Sequence, residues 1–302
     1  MSLSRRGFVK MIGVSTGAVL LNRMIRTGEV LAYSPAPKLV GSEKAMLCDA
    51  SKCTCCGVCE IACRLCNELP KEPTDVNAES PNVLSEDTWT TVRQTEFINN
   101  GEEEELFRKC QCMHCTEAAC VKVCPTHALT HHPLGFVAYD ENLCSGCGYC
   151  TNFCPFHVPQ MSGDILTGLQ RMQKCTFCQD RVIQGQPTAC AENCPSKAIL
   201  FGNRDELIVE GIERVDLLKK DYPNATLYGE KELGGLHVMY VLKEAPTIYE
   251  LPEDPQIPSA AVAWKDVIQP LGWIFGGVTI LGLGLNYLVA RASVKNKREK
   301  ES

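Results

Sequence analysis

Eight cysteines between residues 112 and 154 fall into two runs that each end in Cys-Pro. The runs are Cys112-x2-Cys115-x4-Cys120-x3-Cys124-Pro125 and Cys144-x2-Cys147-x2-Cys150-x3-Cys154-Pro155. The second spacing is that of a [4Fe-4S] ligand run, in which the fourth cysteine serves the neighbouring cluster. A cubane needs three thiolates from one tight loop and a fourth from elsewhere, and these spacings supply both. The stretch therefore predicts a crossed pair of [4Fe-4S] sites.

Two further groups of four cysteines flank this stretch. The later group is Cys175-x2-Cys178-x11-Cys190-x3-Cys194-Pro195, whose long gap resembles an insertion loop within the same frame. The earlier group is best interpreted as Cys53, Cys56, Cys59 and Cys63, although Cys63-x2-Cys66 also has ligand spacing and no proline follows Cys63. The chain thus contains an internal repeat of four ligand groups.

Sixteen of the twenty cysteines in this 302-residue chain belong to these groups. Disulfide scaffolds of similar cysteine density are usually short, so the ligand spacing favours metal clusters over disulfides. The remaining thiols are expected to be buried: Cys48, Cys55, Cys66 and Cys110. Because every group already has four thiolates, we expect the six histidines to be structural.

A structural zinc protein is the alternative from another functional class. Zinc sites commonly combine two CxxC pairs, and an x2-x2-x3 run followed by proline suits zinc poorly. The charge pattern limits the partners as well, because residues 33–260 carry 19 Lys and Arg against 32 Asp and Glu. An acidic body of this kind argues against nucleic acid as a partner.

The N-terminal residues 1–32 have the pattern of a signal peptide. Arg5 and Arg6 precede an apolar run over residues 11–21, and residues 30–32 form a small-residue cleavage site. The paired arginines indicate the twin-arginine export route, with an ordinary amphipathic helix as the alternative. That route carries folded proteins, which allows clusters to be inserted in the reducing cytoplasm before export.

Residues 271–290 have no charged side chain and are long enough, at ~1.5 Å per residue, to cross a bilayer core of ~30 Å. Basic residues follow this segment and acidic residues precede it, which places the tail in the cytoplasm. We therefore expect a single-pass inner (cytoplasmic) membrane protein whose cysteine domain lies on the periplasmic side. Gly272 and Gly276 favour a second helix as a partner, and a buried helix of a soluble domain is the alternative.

The elements that must position the cysteines are short. A hairpin is predicted over residues 128–139, with strands over 198–201 and 236–242. Asn203 and Glu206 suggest a capping box that begins a helix, which ends before Pro223. Residues 67–109 read as a polar interaction loop, and the acidic run 102–105 reads as solvated surface.

With these motifs in place, residues about 45–260 resemble the four-cluster iron-sulfur (beta) subunits of membrane-bound molybdopterin oxidoreductases. Within that group the formate dehydrogenase beta subunit is the best match. The stretches that carry the resemblance are residues 67–70 (NELP), 84–90 (LSEDTWT), 111–115 (QCMHC), 134–140 (LGFVAYD), 174–181 (KCTFCQDR), 227–230 (LYGE) and 234–236 (GGL).

The resemblance implies an α+β fold of two ferredoxin-like 2[4Fe-4S] modules with pseudo-twofold symmetry, plus one C-terminal transmembrane helix. The cluster domain would span residues 33–260. One module would lie around residues 45–66 and 165–202 and the other around 110–160. Residues 261–302 would form the anchor, with its transmembrane part at 271–290, and a basic cytoplasmic tail.

The resemblance also implies four [4Fe-4S] clusters and their ligands. Cluster 1 would take Cys53, Cys56, Cys59 and Cys194; cluster 2 Cys112, Cys115, Cys120 and Cys154; cluster 3 Cys144, Cys147, Cys150 and Cys124; and cluster 4 Cys175, Cys178, Cys190 and Cys63. Cys66 stands where the family often has tryptophan, and Cys55 where a small residue is usual.

The implied function is electron transfer without a catalytic site in this chain. Electrons would pass from a formate-oxidising molybdenum or tungsten alpha subunit, which the first module faces, to a membrane cytochrome b gamma subunit and quinone. The beta subunit of a periplasmic uptake hydrogenase or of another molybdopterin oxidoreductase is the alternative within the same class.

Overall fold

The computed structural model describes residues 43–70, 83–99, 101–163 and 170–301. The predicted signal peptide, residues 1–32, lies outside the described residues. The strands are β1 (Lys44–Asp49), β2 (Thr91–Asn99), β3 (Glu102–Cys110), β4 (Leu129–His131), β5 (Val137–Tyr139), β6 (Gln160–Ser162), β7 (Arg171–Gln173), β8 (Ile199–Asn203), β9 (Thr226–Tyr228) and β10 (Val238–Leu242). The α-helices are α1 (Val58–Cys66), α2 (Ala119–Val123), α3 (Tyr149–Phe153), α4 (Gln179–Ile183), α5 (Ala189–Glu192), α6 (Arg204–Leu218), α7 (Ser259–Ala263) and α8 (Gln269–Glu301).

A four-stranded mixed sheet with the order β8-β1-β10-β9 lies behind the cysteine loops. β1 pairs in parallel with β10, with Met46 opposite Val238, and antiparallel with β8. Ala45 and Leu47 pack on the side of α6, whereas Met46 and Cys48 belong to the same core cluster as Cys59, Cys190 and Cys194. One face of the sheet therefore carries a helix and the other carries cysteine loops.

The β2–β3 hairpin occupies much of the stretch predicted to be a polar interaction loop. It pairs from Thr91 opposite Cys110 to Asn99 opposite Glu102, and it buries Val92 and Leu106. The prediction of a solvated acidic surface is wrong for Glu104. That carboxylate accepts a hydrogen bond from Tyr222 Oη at 2.8 Å and contacts Lys243 Nζ, so it fastens the hairpin to the rest of the domain.

Several predicted elements are confirmed. β4 and β5 form the antiparallel hairpin expected over residues 128–139, and β8, β10 and α6 lie within a few residues of their predicted positions. The capping box is wrong in one detail, because the Asn203 side chain makes no cap to the helix backbone. Its Nδ2 instead donates to Glu206 Oε1 at 2.9 Å, and its Oδ1 accepts from Lys44 Nζ at 2.7 Å.

The C-terminal helix includes the apolar segment recognised in the sequence. The helical stretch Ser259–Val294, which contains a π-helical turn at Trp264–Ile268, is long and apolar enough to cross a membrane, with a mean hydropathy of 1.6 over an 18-residue window. The side chains of residues 271–294 are exposed, as Trp273 illustrates at 83%. A methyl group on Gly272 or Gly276 would meet nothing within 4 Å.

Candidate iron-sulfur sites

The first cysteine-lined cavity lies between the loop before α1 and the segment after α5. Its lining contains Cys53, Cys56, Cys59 and Cys194, and we call it the Cys53 cavity. Gly57, at φ 70°, turns the backbone between Cys56 and the first residue of α1. A left-handed residue at this point lets the loop curl around the cavity, which a residue with a side chain does only with strain.

A second cavity lies next to the first along α1. Its lining contains Cys63, Cys175, Cys178 and Cys190, and we call it the Cys63 cavity. α1 packs against α5. α1 serves both cavities, because Cys59 and Cys63 both lie within it. Cys190 lies within α5, and Cys194 follows the end of that helix by two residues. The four-residue spacing places Cys59 and Cys63 one helical turn apart.

The other two cysteine runs make a similar exchange. Cys124, Cys144, Cys147 and Cys150 line one cavity, called the Cys124 cavity. The remaining set is Cys112, Cys115, Cys120 and Cys154. Burial raises the pKa of Cys115 and of Cys120, and the nearby charges of Cys112 and Cys154 raise both further. These four thiols are therefore also neighbours.

The sets that the structure brings together are the same four sets that the family resemblance groups by ligand. In each of the three cavities the thiols stand around an open space rather than around a point. Within the part of the chain that the structure describes, no three or more His, Cys, Asp or Glu side chains lie close enough to hold a single metal ion.

The chemistry of the donors fits an iron-sulfur core. Each set consists of sulfur atoms alone, which are the soft ligands that iron-sulfur clusters use. Burial raises the pKa of Cys59 to about 11, of Cys175 to about 11 and of Cys150 to about 12. These three thiols therefore keep their protons at neutral pH, and a bound cationic core must displace them.

The pKa of Cys144 is lowered rather than raised, because several hydrogen-bond donors face its sulfur. Burial tends to raise its pKa, but the N–H groups of Met172 and Gly146 and the hydroxyl of Tyr139 outweigh burial and lower it. The Tyr139 hydroxyl is buried and has no hydrogen-bond partner among the described residues. It also lines the Cys124 cavity, so it is placed to donate to sulfur.

Lys109 is a residue that the sequence pattern did not single out. It is 4% exposed, and its Nζ donates to Thr90 Oγ1 at 2.5 Å and to Gln111 Oε1. Burial alone would lower the pKa of Lys109, but the charges of Cys190 and Cys59 raise it above its ordinary value. The available signal in the sequence was the position of this lysine, one residue before Cys110 and three residues before Cys112.

The leftover cysteines divide into two pairs. Cys48 and Cys110 are buried as predicted, whereas the prediction is wrong for Cys55 and Cys66, which are exposed. His114 is buried and its Nδ1 accepts the Val137 N–H at 3.1 Å, which is a structural role. Among the described residues, no histidine lines the three cavities.

Comparison with known proteins agrees with this geometry. A family model described as a 4Fe-4S dicluster domain matches residues 104–204. The formate dehydrogenase iron-sulfur subunit of Haemophilus influenzae is 37% identical over 302 residues, covering 96% of this chain and 94% of the relative. The iron-sulfur subunit of the nitrate-inducible formate dehydrogenase of Escherichia coli K12 is 38% identical over 254 residues, covering 82% and 85%.

The chain belongs to the family of formate dehydrogenase iron-sulfur subunits. It is an iron-sulfur electron-transfer subunit. A hydrogenase-2 operon protein, HybA of Escherichia coli O157:H7, is similar as well, with 28% identity over 327 residues that cover 92% of this chain and 94% of the relative. Within this family the sulfur-lined cavities are the candidate cluster sites.

Proposed function

We propose that the sixteen motif cysteines hold four [4Fe-4S] clusters. The Cys53, Cys63 and Cys124 cavities and the set of Cys112, Cys115, Cys120 and Cys154 would each hold one. The observation that carries the proposal is that each set draws its fourth thiol from a separate cysteine group. That arrangement is the one expected of paired clusters that share their motifs.

When bound, the clusters supply one-electron transfer, which is chemistry that the side chains themselves lack. The chain's own part is to fix the distances between sites and to exclude water. α1 holds Cys59 and Cys63 at a rise of about 6 Å along the helix, so their cavities are adjacent. Burial and hydrogen bonds to sulfur then set the potentials at which electrons are accepted.

The reciprocal use of motifs supports an arrangement of two ferredoxin-like modules with pseudo-twofold symmetry. One module would pair residues around 45–66 with those around 165–202, and the other would span residues around 110–160. The supporting observation is that α1 and α5 exchange cysteines in the same way as α2 and α3 do. Residues 33–260 would form the whole cluster domain.

The electron donor would be a formate-oxidising molybdenum or tungsten alpha subunit. Two relatives with the higher identities are named as formate dehydrogenase subunits, which favours formate. The acceptor would be a membrane cytochrome b gamma subunit and, through it, quinone. A hydrogenase complex is the second candidate, and it is supported by the similarity to HybA.

The site of action would be the periplasmic face of the inner membrane. The apolar helical stretch Ser259–Val294 supports an anchor, and the basic residues after it support a cytoplasmic tail. The paired arginines of residues 1–32 support export by the twin-arginine route. Protease treatment of spheroplasts would test this topology, because it should digest the cysteine domain and leave a membrane-protected C-terminal fragment.

Two measurements on the gently solubilised membrane complex test the function. Iron and acid-labile sulfide analysis should give about sixteen irons in this subunit, that is, four for each of four cubanes. A colourless subunit that holds zinc would instead support the structural zinc alternative. EPR spectra should show cluster reduction by formate, and reduction by H2 but not by formate would favour the hydrogenase candidate.

A further inference from the structure

Lys109 lies at the boundary between two cavities. Among the described residues, it is the one that lines both the Cys53 cavity and the Cys63 cavity. Successive residues of a strand point to opposite faces, so β3 directs Lys109 towards the cysteines while Arg108 lines a different cavity. The ammonium group is therefore placed where it can act on both sites together.

Neutral acceptors hold this ammonium group. Its hydrogen bonds run to Thr90 Oγ1 and Gln111 Oε1, and none of the ion pairs between described residues includes Lys109. A buried charge without a counter-charge is costly, and native proteins rarely keep one. The sulfurs of Cys59 and Cys190 are among the groups near it that can carry negative charge.

The two cavities offer Lys109 a counter-charge that depends on electron transfer. Four thiolates around a cubane make each site anionic, and each reduction adds one more negative charge. A nearby cation stabilises the reduced form, and net charge is one of the factors that set cluster potentials. Since Lys109 is buried, bulk salt screens this interaction little.

We infer that Lys109 raises the reduction potentials of the clusters in the Cys53 and Cys63 cavities together. Because the charge lies at the boundary of the two cavities, it would shift both potentials in the same direction and add little to the difference between them. Lys109 keeps its proton throughout and acts through its charge alone. The inference rests on the proposed function, in which both cavities hold a [4Fe-4S] cluster.

The Lys109→Met variant removes the charge and keeps the length of the side chain. We would titrate the purified membrane complex potentiometrically and follow the clusters by EPR. Two cluster signals should shift together to lower potential, and the others should stay. At the wild-type midpoint the ratio of reduced to oxidised cluster should fall about tenfold for these two signals, which equals ~59 mV for a one-electron couple.

Two control variants separate charge from packing. Lys109→Arg keeps the positive charge and should leave both potentials near those of the wild type. Lys220→Met removes one positive charge from an exposed position and should shift no signal. If the Lys109→Met subunit fails to assemble, Lys109→Gln retains a hydrogen-bonding group and is held to the same criteria.

The inference is overturned if the uncharged variant shifts no signal, one signal, or all signals equally, or if the arginine variant shifts them as much. Its failure can be told apart from failure of the proposed function. A wild-type complex without iron in this subunit contradicts the proposed function. A variant with its full iron content and unchanged potentials contradicts the role of Lys109 alone.

Discussion

Cys59 and Cys63 lie one turn apart on α1, and they line different cavities. The exchange is reciprocal, because Cys190 lines the Cys63 cavity and Cys194 lines the Cys53 cavity. Neither cavity can be completed by one motif. The first and last cysteine groups of the chain must therefore fold together, although more than a hundred residues separate them.

Serine at Cys59 or at Cys63 should therefore remove a different cluster. Each substitution deletes one thiolate from one cavity, so each variant is expected to lose about four of about sixteen irons. Iron analysis and EPR on the purified complex would measure the loss. Cys55→Ser is the matched control, because Cys55 is exposed and lines neither cavity. Loss of iron from the Cys55 variant would contradict this assignment.

Gly146 and Gly148 lie in the same cysteine loop and should respond differently to alanine. Both have positive φ, of 70° and 72°. A Cβ on Gly146 would come within 2.7 Å of the Gln170 carbonyl oxygen, whereas a Cβ on Gly148 would meet nothing within 4 Å. We expect Gly148→Ala to cost ~1 kcal/mol of backbone strain, and Gly146→Ala to cost more and to lower the iron content of the Cys124 cavity.

Thermal unfolding and iron analysis of the two glycine variants would check this difference. Because the obstacle at Gly146 is backbone, a rotamer change cannot relieve the clash. Equal effects of the two substitutions would show that backbone strain alone matters and that the close approach does not.

Tyr139→Phe should lower the potential of one cluster. The Tyr139 hydroxyl lines the Cys124 cavity and lowers the pKa of Cys144, so it favours negative charge on that sulfur. Its removal should make that cluster harder to reduce. The reduction potential should fall by up to about 59 mV. Potentiometric EPR would measure the shift. Tyr222→Phe, which touches Glu104 instead, should leave all signals unchanged.

His237 should make the stability of the domain depend on pH. Its side chain is 1% exposed with Nδ1 2.9 Å from the Lys44 carbonyl oxygen, and burial lowers its pKa to about 4. Because the folded pKa lies below the unfolded value of ~6.5, the stabilisation is complete above pH ~6.5. It is lost as the pH falls towards 4, by on the order of 3 kcal/mol.

The His237→Asn variant tests this linkage. Asparagine does not titrate in this range, so the variant should lose less stability than the wild type between pH 6.5 and 4. Chemical unfolding at several pH values would give the two slopes. Buried His114, whose pKa is also lowered, should preserve part of the dependence. Identical slopes for both proteins would rule out the contribution of His237.

Local patterns in the sequence were enough to predict the ligand groups and several elements. Cysteine spacing is a property of one loop, and the β4–β5 hairpin and α6 depend on short-range periodicity and turn residues. The same local patterns failed to predict β3, because this strand contains the acidic run 102–105. Glutamate is poor in strands on average, and only its partners Tyr222 and Lys243 make Glu104 suitable there.

The sequence by itself determined the sixteen cysteines, their spacing, and the apolar segment near the C-terminus, because each is encoded over a few consecutive residues. The tertiary structure alone decided which residues lie between the cavities, and it brings together in space the cysteine sets that the family resemblance implied. β1 pairs with β8 and β10 from far along the chain. That long-range pairing brings α1 to α5. It also places Lys109 beside sulfurs of the first and last cysteine groups.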